Sequence, residues 1–121
     1  MRFTELSIPG AFLIDPEPHA DLRGSFARLW CADEVGRRGL NPALDQVSLS
    51  FNARRGTLRG MHLQREPAGE DKVVFCLTGA IHDVVLDLRE GSPTYRRWEA
   101  VELTRARRRL LYIPRGCAHG F

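Results

Sequence analysis

Two short stretches of the sequence collect residues that can move protons and hold negative charge. The first, residues 56–64, reads GTLRGMHLQ and contains Arg59, His62 and Gln64, and Lys72 follows eight residues later. A histidine titrates near neutral pH and can therefore accept a proton under physiological conditions. A lysine ammonium is a compact charge that suits a reaction developing negative charge on a single oxygen. The stretch is a candidate site for proton transfer; the alternative is that His62 is a structural residue of a β-barrel.

Lys72 is the only lysine of the chain, and the other 17 of its 18 basic residues are arginines. An excess of arginine can reflect the base composition of the gene alone. Arginine is nevertheless a planar fork that stays charged, whereas the lysine ammonium is a point charge on a flexible stem. The single ammonium therefore makes Lys72 a functional candidate.

The second stretch, residues 113–121, reads IPRGCAHGF and contains the pattern Pro-x-Gly-x-x-His. The proline restricts a turn, the glycine permits it, and His119 then begins a strand with its side chain pointing inward.

The predicted strand geometry limits which of these residues can meet. His62 and Gln64 share one face of a strand, and Lys72 lies on the next strand if residues 65–71 form a turn. Arg59 falls on the opposite face unless a bulge at Gly60 re-aims it. The four side chains converge only if that bulge exists.

Short strands dominate the predicted secondary structure, with a polar loop over 15–23. A single helix is predicted over 33–38, with Asp33 as its N-cap and Gly39 after its end. Regular spacing of short strands with almost no helix favours a β-sandwich or barrel. The predicted strands are 3–8, 11–14, 25–30, 47–52, 57–64, 72–77, 81–88, 98–103 and 110–113.

The size and composition of the chain are those of one globular domain, residues 1–121, with 43% apolar and 27% charged residues. No apolar run is long enough to cross a membrane, and no signal peptide is recognisable. Three cysteines make a disulfide framework improbable and favour the cytoplasm. The four arginines within 105–109 are interpreted as a solvated turn, because no aromatic platform for nucleic acid adjoins them.

The Pro-x-Gly-x-x-His pattern resembles the second conserved motif of the cupin superfamily, a jelly-roll β-barrel. The first cupin motif places His-x-His on one strand, but here it reads His62-Leu63-Gln64. A divalent metal is therefore poorly supplied with ligands. His82 is a conceivable third ligand, although its alternation with Val84 and Leu86 favours an apolar face. We expect neither metal nor cofactor.

The order of motifs resembles the dTDP-4-dehydrorhamnose 3,5-epimerase family of metal-free cupins from about Pro9 to Phe121. The segments that carry this resemblance are DLRGSF, GTLRGMHLQ, DKVV, GAIHDVVLDLREGSPTY, VEL and YIPRGCAHGF. It implies a cupin-type jelly roll with an N-terminal strand and loop extension. It also implies epimerisation at C3 and C5 of a dTDP-linked 4-keto-6-deoxyhexose, a step of the rhamnose-pathway type.

Site roles follow from the family motifs. The resemblance makes His62 the catalytic base and Lys72 the group that stabilises the enolate. Arg59 and His119 become substrate contacts. The first quoted segment contributes Arg23 and Phe26, which in the family hold the nucleotide, commonly across a dimer interface. A homodimer that exchanges N-terminal elements is therefore expected, with a dTDP-sugar as the ligand and neither nucleic acid nor membrane as a partner.

The match also has departures. The tyrosine general acid and the acidic partner of the catalytic histidine lie, in the family, beyond the position of Phe121, so we expect this chain to be part of a longer epimerase. A natural truncation and completion by another subunit are alternatives. Asp83 is the best remaining acidic partner for His62 or His119. Three rival functions stay open: a non-catalytic sugar-nucleotide binder, an epimerase acting at C3 only and a metal-dependent cupin enzyme.

Overall fold

Nine β-strands and one short α-helix form the regular structure of the chain, and the computed structural model describes all 121 residues. The elements are β1 (Arg2–Glu5), β2 (Phe12–Asp15), β3 (His19–Asp21), β4 (Gly24–Phe26), α1 (Ala32–Gly36), β5 (Lys72–Phe75), β6 (Ala80–Asp87), β7 (Trp98–Thr104), β8 (Leu110–Ile113) and β9 (Cys117–Gly120). The prediction of an all-β fold with one short helix is confirmed. No helix has the length and apolar composition needed to cross a membrane.

Two antiparallel sheets face each other in a jelly-roll arrangement. One sheet has the strand order β1-β2-β8-β5, and the other has the order β7-β6-β9. Strands β3 and β4 form a separate hairpin. Because side chains alternate between the two faces of a strand, each sheet presents one row of residues to the space between the sheets.

The main core fills that space. Val85 and Leu103 from the three-stranded sheet pack with Leu111 and Ile113 from the four-stranded sheet, and all four side chains are buried. The alternate residues of β8, Leu110 and Tyr112, point to the opposite face of the sheet.

A second core covers the outer face of the four-stranded sheet. There Ile14, Leu110 and Tyr112 pack against Leu29 and Trp30 from the chain that leads into α1. Both faces of β8 are therefore covered, which explains why all four of its residues are buried. This strand is the rigid centre on which the neighbouring β5 is aligned.

The predicted strands 47–52 and 57–64 are wrong. Residues 41–61 contain no strand, and Val47, Leu49 and Phe51 are each more than three-quarters exposed. Apolar and polar residues alternate here, but a strand also needs a neighbour for its backbone hydrogen bonds, and residues 47–52 have none. Of the second segment, only His62 forms an isolated bridge, to His119.

Smaller differences concern the N-terminal third. The predicted loop 15–23 contains β3, which pairs with β4, and the strand predicted over 25–30 ends at Phe26. The helix begins earlier than predicted, so that Cys31 rather than Asp33 is its N-cap, and no side chain caps it. The pairing of β3 with β4 sets the bounds of both strands, and a local sequence pattern contains no information about such pairing.

A buried carboxylate at the end of β6 ties several turns together. Asp87 is fully buried and accepts hydrogen bonds from the Arg89 guanidinium at 2.8 and 2.9 Å and from the hydroxyls of Ser92 and Thr94, each at 2.6 Å. Burial alone disfavours the charged carboxylate, but these hydrogen bonds outweigh it and hold the pKa of Asp87 well below its usual value of 3.8.

The charge of Asp87 should therefore stabilise the fold in a pH-dependent way. Since the folded-state pKa is lowered, the ionised carboxylate contributes its full stability above about pH 4 and loses it as the pH falls toward the folded value. Replacing Asp87 with asparagine should cost about 3 kcal/mol at pH 7, because Arg89 loses its buried partner. Urea unfolding at pH 7 and pH 3 should show this cost shrinking at pH 3. D45N, at an exposed position, is the control, and an equal cost at both pH values would contradict the charge argument.

Candidate active site

The pairing of residues 59–62 with the end of β9 builds the site. Arg59 and Phe121 exchange backbone hydrogen bonds at 2.7 and 2.8 Å, and His62 and His119 do so at 2.8 and 3.1 Å. The first segment advances three residues, from Arg59 to His62, while its partner advances only two, from His119 to Phe121. One extra residue on one strand is the geometry of a β-bulge. A bulge is therefore present at Gly60, which is the condition that the sequence set for Arg59 to share a face with His62.

A glycine is required at this bulge by backbone crowding. Gly60 has a φ of +115°, and a Cβ at this position would lie 2.5 Å from the Cα of Gly120 and 2.9 Å from the carbonyl oxygen of His119. Gly120 is equally constrained, because its Cβ would lie 2.7 Å from the carbonyl oxygen of Arg59. Two glycines thus allow the two backbones to touch.

The pairing of His62 with His119 brings two imidazoles together on the inner face of the three-stranded sheet. The rings of His62 and His119 have centroids 6.2 Å apart and planes inclined by 66°. His119 lies opposite Val85 of the main core, and His62 lies opposite His119, so both side chains face the space between the sheets. His119 is buried, whereas His62 is exposed.

Asp83 supports the buried imidazole. Its Oδ1 lies 3.4 Å from Nδ1 of His119, the carboxylate is fully buried, and Oδ2 has no hydrogen-bond partner. Of the two histidines that Asp83 could serve, the structure pairs it with His119. The imidazole of His62 makes no side-chain hydrogen bond.

Lys72 faces the same interior from the opposite sheet. It begins β5 directly opposite Ile113 of the main core, which places both side chains on the inner face. Its ammonium pairs with the Glu70 carboxylate. With the Gln64 amide assigned so that its nitrogen faces the carboxylate, it donates to Glu70 at 2.6 Å. Lys72 and His62 are not hydrogen-bonded to each other, but Gln64, two residues after His62, shares Glu70 with Lys72.

Arg59 is directed toward the preceding segment. Its Nε donates to Oδ1 of Asn52 at 2.6 Å, and its Nη2 donates to the carbonyl oxygen of Phe51 at 3.2 Å. The guanidinium therefore lies beside the 51–52 backbone, at the edge of the site.

The structure does not bring Arg23 and Phe26 to this site. Both lie on the β3–β4 hairpin, where the Arg23 side chain is 91% exposed and pairs with Asp21 at 2.6 Å. Phe26 is 73% exposed. No hydrogen bond or ion pair connects either residue with those around His62.

The turn before His119 depends on a contact that sequence reasoning missed. Gly116 has a φ of +82°, and a Cβ there would lie 2.5 Å from Cγ of Arg89. The arginine that neutralises Asp87 thus packs under the Pro-x-Gly turn. The sequence contains one signal for this contact: Asp87 and Arg89 carry opposite charges and lie two residues apart.

Two other side chains that could react with protons are held neutral. Tyr112 lies on the outer face of its sheet, and burial raises its pKa to about 12. Burial likewise raises the pKa of the Cys117 thiol to about 11. Neither group is suited to proton transfer near neutral pH.

His82 does not lie on the buried face of its strand. It is exposed, while its neighbour Asp83 is buried, so the expected apolar position for His82 is wrong. The residues of β6 that face the core are Asp83 and Val85, so the buried row is shifted by one position from the predicted row of His82 and Val84. No cluster of three or more His, Cys, Asp or Glu side chains is arranged to hold a metal ion.

The chain is similar in sequence to known proteins of one family. Residues 5–121 match the family model for dTDP-4-dehydrorhamnose 3,5-epimerase. The enzyme of that name from Mycobacterium tuberculosis (strain CDC 1551 / Oshkosh) is 43% identical over 123 residues, covering 100% of this chain and 60% of the relative. A dTDP-4-dehydrorhamnose 3-epimerase from Streptomyces niveus is 43% identical over 122 residues, covering 100% of this chain and 58% of the relative.

A solved structure has the same fold. The crystal structure of dTDP-4-dehydrorhamnose 3,5-epimerase from Bacillus anthracis strain Ames, with TDP and PPi bound, matches with a TM-score of 0.94 and 34% identity over 99% of this chain and 69% of that chain. The present chain spans about 60% of the length of the curated relatives it matches. In its sequence and its fold alike, the chain belongs to the dTDP-4-dehydrorhamnose 3,5-epimerase family.

Proposed function

We propose that this chain carries the base and the enolate-stabilising cation of a nucleotide-sugar epimerase. Its substrate is a dTDP-linked 4-keto-6-deoxyhexose, and the reaction inverts C3 and C5. The observation that carries the proposal is the placement of His62 and Lys72, which face one interior from two different sheets. Family membership and the TDP-bound relative support the substrate class.

The chemistry follows from the ketone of such a sugar. The carbonyl at C4 acidifies the protons on both adjacent carbons, C3 and C5. His62 removes one of them as a general base, and the electron pair of the broken C–H bond moves onto O4 as an enolate. The Lys72 ammonium stabilises that oxygen. Return of a proton to the opposite face of the carbon, from a donor other than His62, inverts the centre.

His119 and Asp83 hold the substrate in place in this scheme. With Nδ1 of His119 donating to the buried Asp83 carboxylate, Nε2 is the nitrogen left to contact the sugar. The ring cannot rotate freely, because it is buried and is hydrogen-bonded to Asp83. We assign His119 to substrate binding and Asp83 to its orientation.

The nucleotide needs groups outside this interior. Arginine forks suit a diphosphate, and an exposed aromatic ring suits a base. Arg59 lies at the edge of the site, whereas Arg23 and Phe26 project from the hairpin into solvent. We propose that the hairpin of one subunit reaches the site of a second in a homodimer. We also propose a cytoplasmic location, which suits three free cysteines.

The proposed base can be tested by exchange of the sugar protons with deuterated solvent. His62→Asn should lower incorporation of deuterium at C3 and C5 by about 100-fold or more, the usual contribution of a general base. Binding of dTDP, measured by calorimetry, should persist, because the variant keeps the backbone pairing with His119. His82→Asn, an exposed position on the same protein, is the matched control.

Each outcome of this experiment distinguishes one function. Exchange at the parental rate in the His62 variant would show that another group removes the proton. Incorporation at C3 alone would identify a 3-epimerase, the activity named for the S. niveus relative. A full-length protein that binds dTDP without exchange would be a binding module. Turnover that requires stoichiometric iron, manganese or zinc would indicate a metal-dependent cupin.

Sharing of the site between subunits predicts complementation. R23A and H62N proteins should each be impaired alone. When equal amounts are mixed under conditions that allow subunits to exchange, half of the dimers are mixed, and each has one site with both native groups. The mixture should therefore recover about one quarter of the parental exchange rate. A mixture no more active than the average of its components would mean that Arg23 serves its own subunit or no site.

A further inference from the structure

The carboxylate of Glu70 has two polar side chains as partners, those of Lys72 and Gln64. It pairs with the ammonium of Lys72. With the Gln64 amide assigned so that its nitrogen faces the carboxylate, Glu70 also accepts that N–H at 2.6 Å. Lys72 is 22% exposed and Glu70 is 46% exposed, so the pair lies at the mouth of the interior rather than in bulk solvent.

These two partners belong to different parts of the fold. Gln64 follows His62, whose backbone is bonded to β9 in the three-stranded sheet. Lys72 begins β5, the edge strand of the four-stranded sheet. One carboxylate therefore joins the segment with the proposed base to the strand with the proposed cation.

We propose that Glu70 is a positioning residue for the proton-transfer pair. It holds the Lys72 ammonium against the inner face and, through Gln64, sets its place relative to His62. This inference rests on the proposed function and deepens it, since it assigns a role to a residue outside the substrate contacts.

The chemistry of lysine explains why such a tether is useful. A flexible four-carbon stem leaves the ammonium free to adopt many positions, whereas stabilising one oxygen requires a fixed one. The ion pair restricts the stem before the substrate arrives. As charge develops on the sugar oxygen, an ammonium with three N–H donors can bond that oxygen while keeping one bond to Glu70.

The single lysine permits a direct test that needs no turnover. The chain has two primary amines, the Met1 amine and Lys72. Acetic anhydride acylates unprotonated, accessible amines, and peptide mass spectrometry gives the rate at each. Glu70→Gln should raise the Lys72 rate relative to Met1 by about two- to fivefold, the factor expected from a partly exposed ion pair.

The same loop supplies the matched control. Glu66 is 68% exposed, and its nearest cation is Arg115, 3.8 Å away. Glu66→Gln removes the same charge from the same loop and should leave the Lys72 rate unchanged. Equal Lys72 rates in the two variants would overturn the proposal.

A second readout separates positioning from general stability. Glu70→Gln should reduce the maximal rate of deuterium exchange while dTDP binding stays at the parental value. Gln64→Leu should also slow exchange but leave Lys72 acylation unchanged, because it cuts only the other half of the tether. Parental exchange in Glu70→Gln would overturn the positioning role. Absence of exchange in the full-length parent protein would overturn the proposed function, and the acylation rates would still decide whether Glu70 holds Lys72.

Discussion

The close contact between Gly60 and Gly120 is the constraint on which the site depends. At this point the 59–62 segment meets β9 with one residue more than its partner, and a Cβ on either glycine would overlap the opposite backbone. The direction of side chains alternates along a regular strand. Without the extra residue, Arg59 and His62 would therefore lie on opposite faces of the sheet. The bulge therefore sets the face of Arg59 relative to His62, and the pairing of His62 with His119 directs the His62 imidazole to the interior that Lys72 also faces.

A second constraint keeps β9 in its place. The Pro-x-Gly turn before β9 rests on the aliphatic part of Arg89, and the guanidinium of that arginine is fixed by the buried charge of Asp87. The turn also receives a backbone hydrogen bond, from the N–H of Leu88 to the carbonyl oxygen of Gly116 at 3.2 Å. Three kinds of interaction, an ion pair, a packing contact and a backbone bond, thus converge on the residues that lead into His119. A buried network of this kind specifies one arrangement because each partner lost would leave a polar group unpaired.

Much of this could be predicted from the residues themselves, and the failures have physical causes. From the sequence, the bulge at Gly60 was only a condition, because regular alternation along a strand puts Arg59 and His62 on opposite faces. Strand 110–113 was predictable because its burial on both faces requires a continuous apolar run. Val47, Leu49 and Phe51 alternate with polar residues as in a strand, but all three are exposed. The alternation indicates only that one face would be apolar; it does not show whether another strand is present to pair with the backbone. The tether at Glu70 was not predictable, because it depends on how a turn brings Gln64 and Lys72 to one carboxylate.

The two histidines differ in a way that bears on their roles. His119 is buried, and its ring is bonded to a fully buried carboxylate, so its position is fixed by the surrounding core. His62 is held only through its backbone, and its exposed ring has no bonded partner. A base must have a free nitrogen and room for a substrate beside it, whereas a binding group benefits from being rigid. This difference supports the proposal that His62 is the base and that His119 orients the ligand, and Lys72 faces the same interior from the opposite sheet.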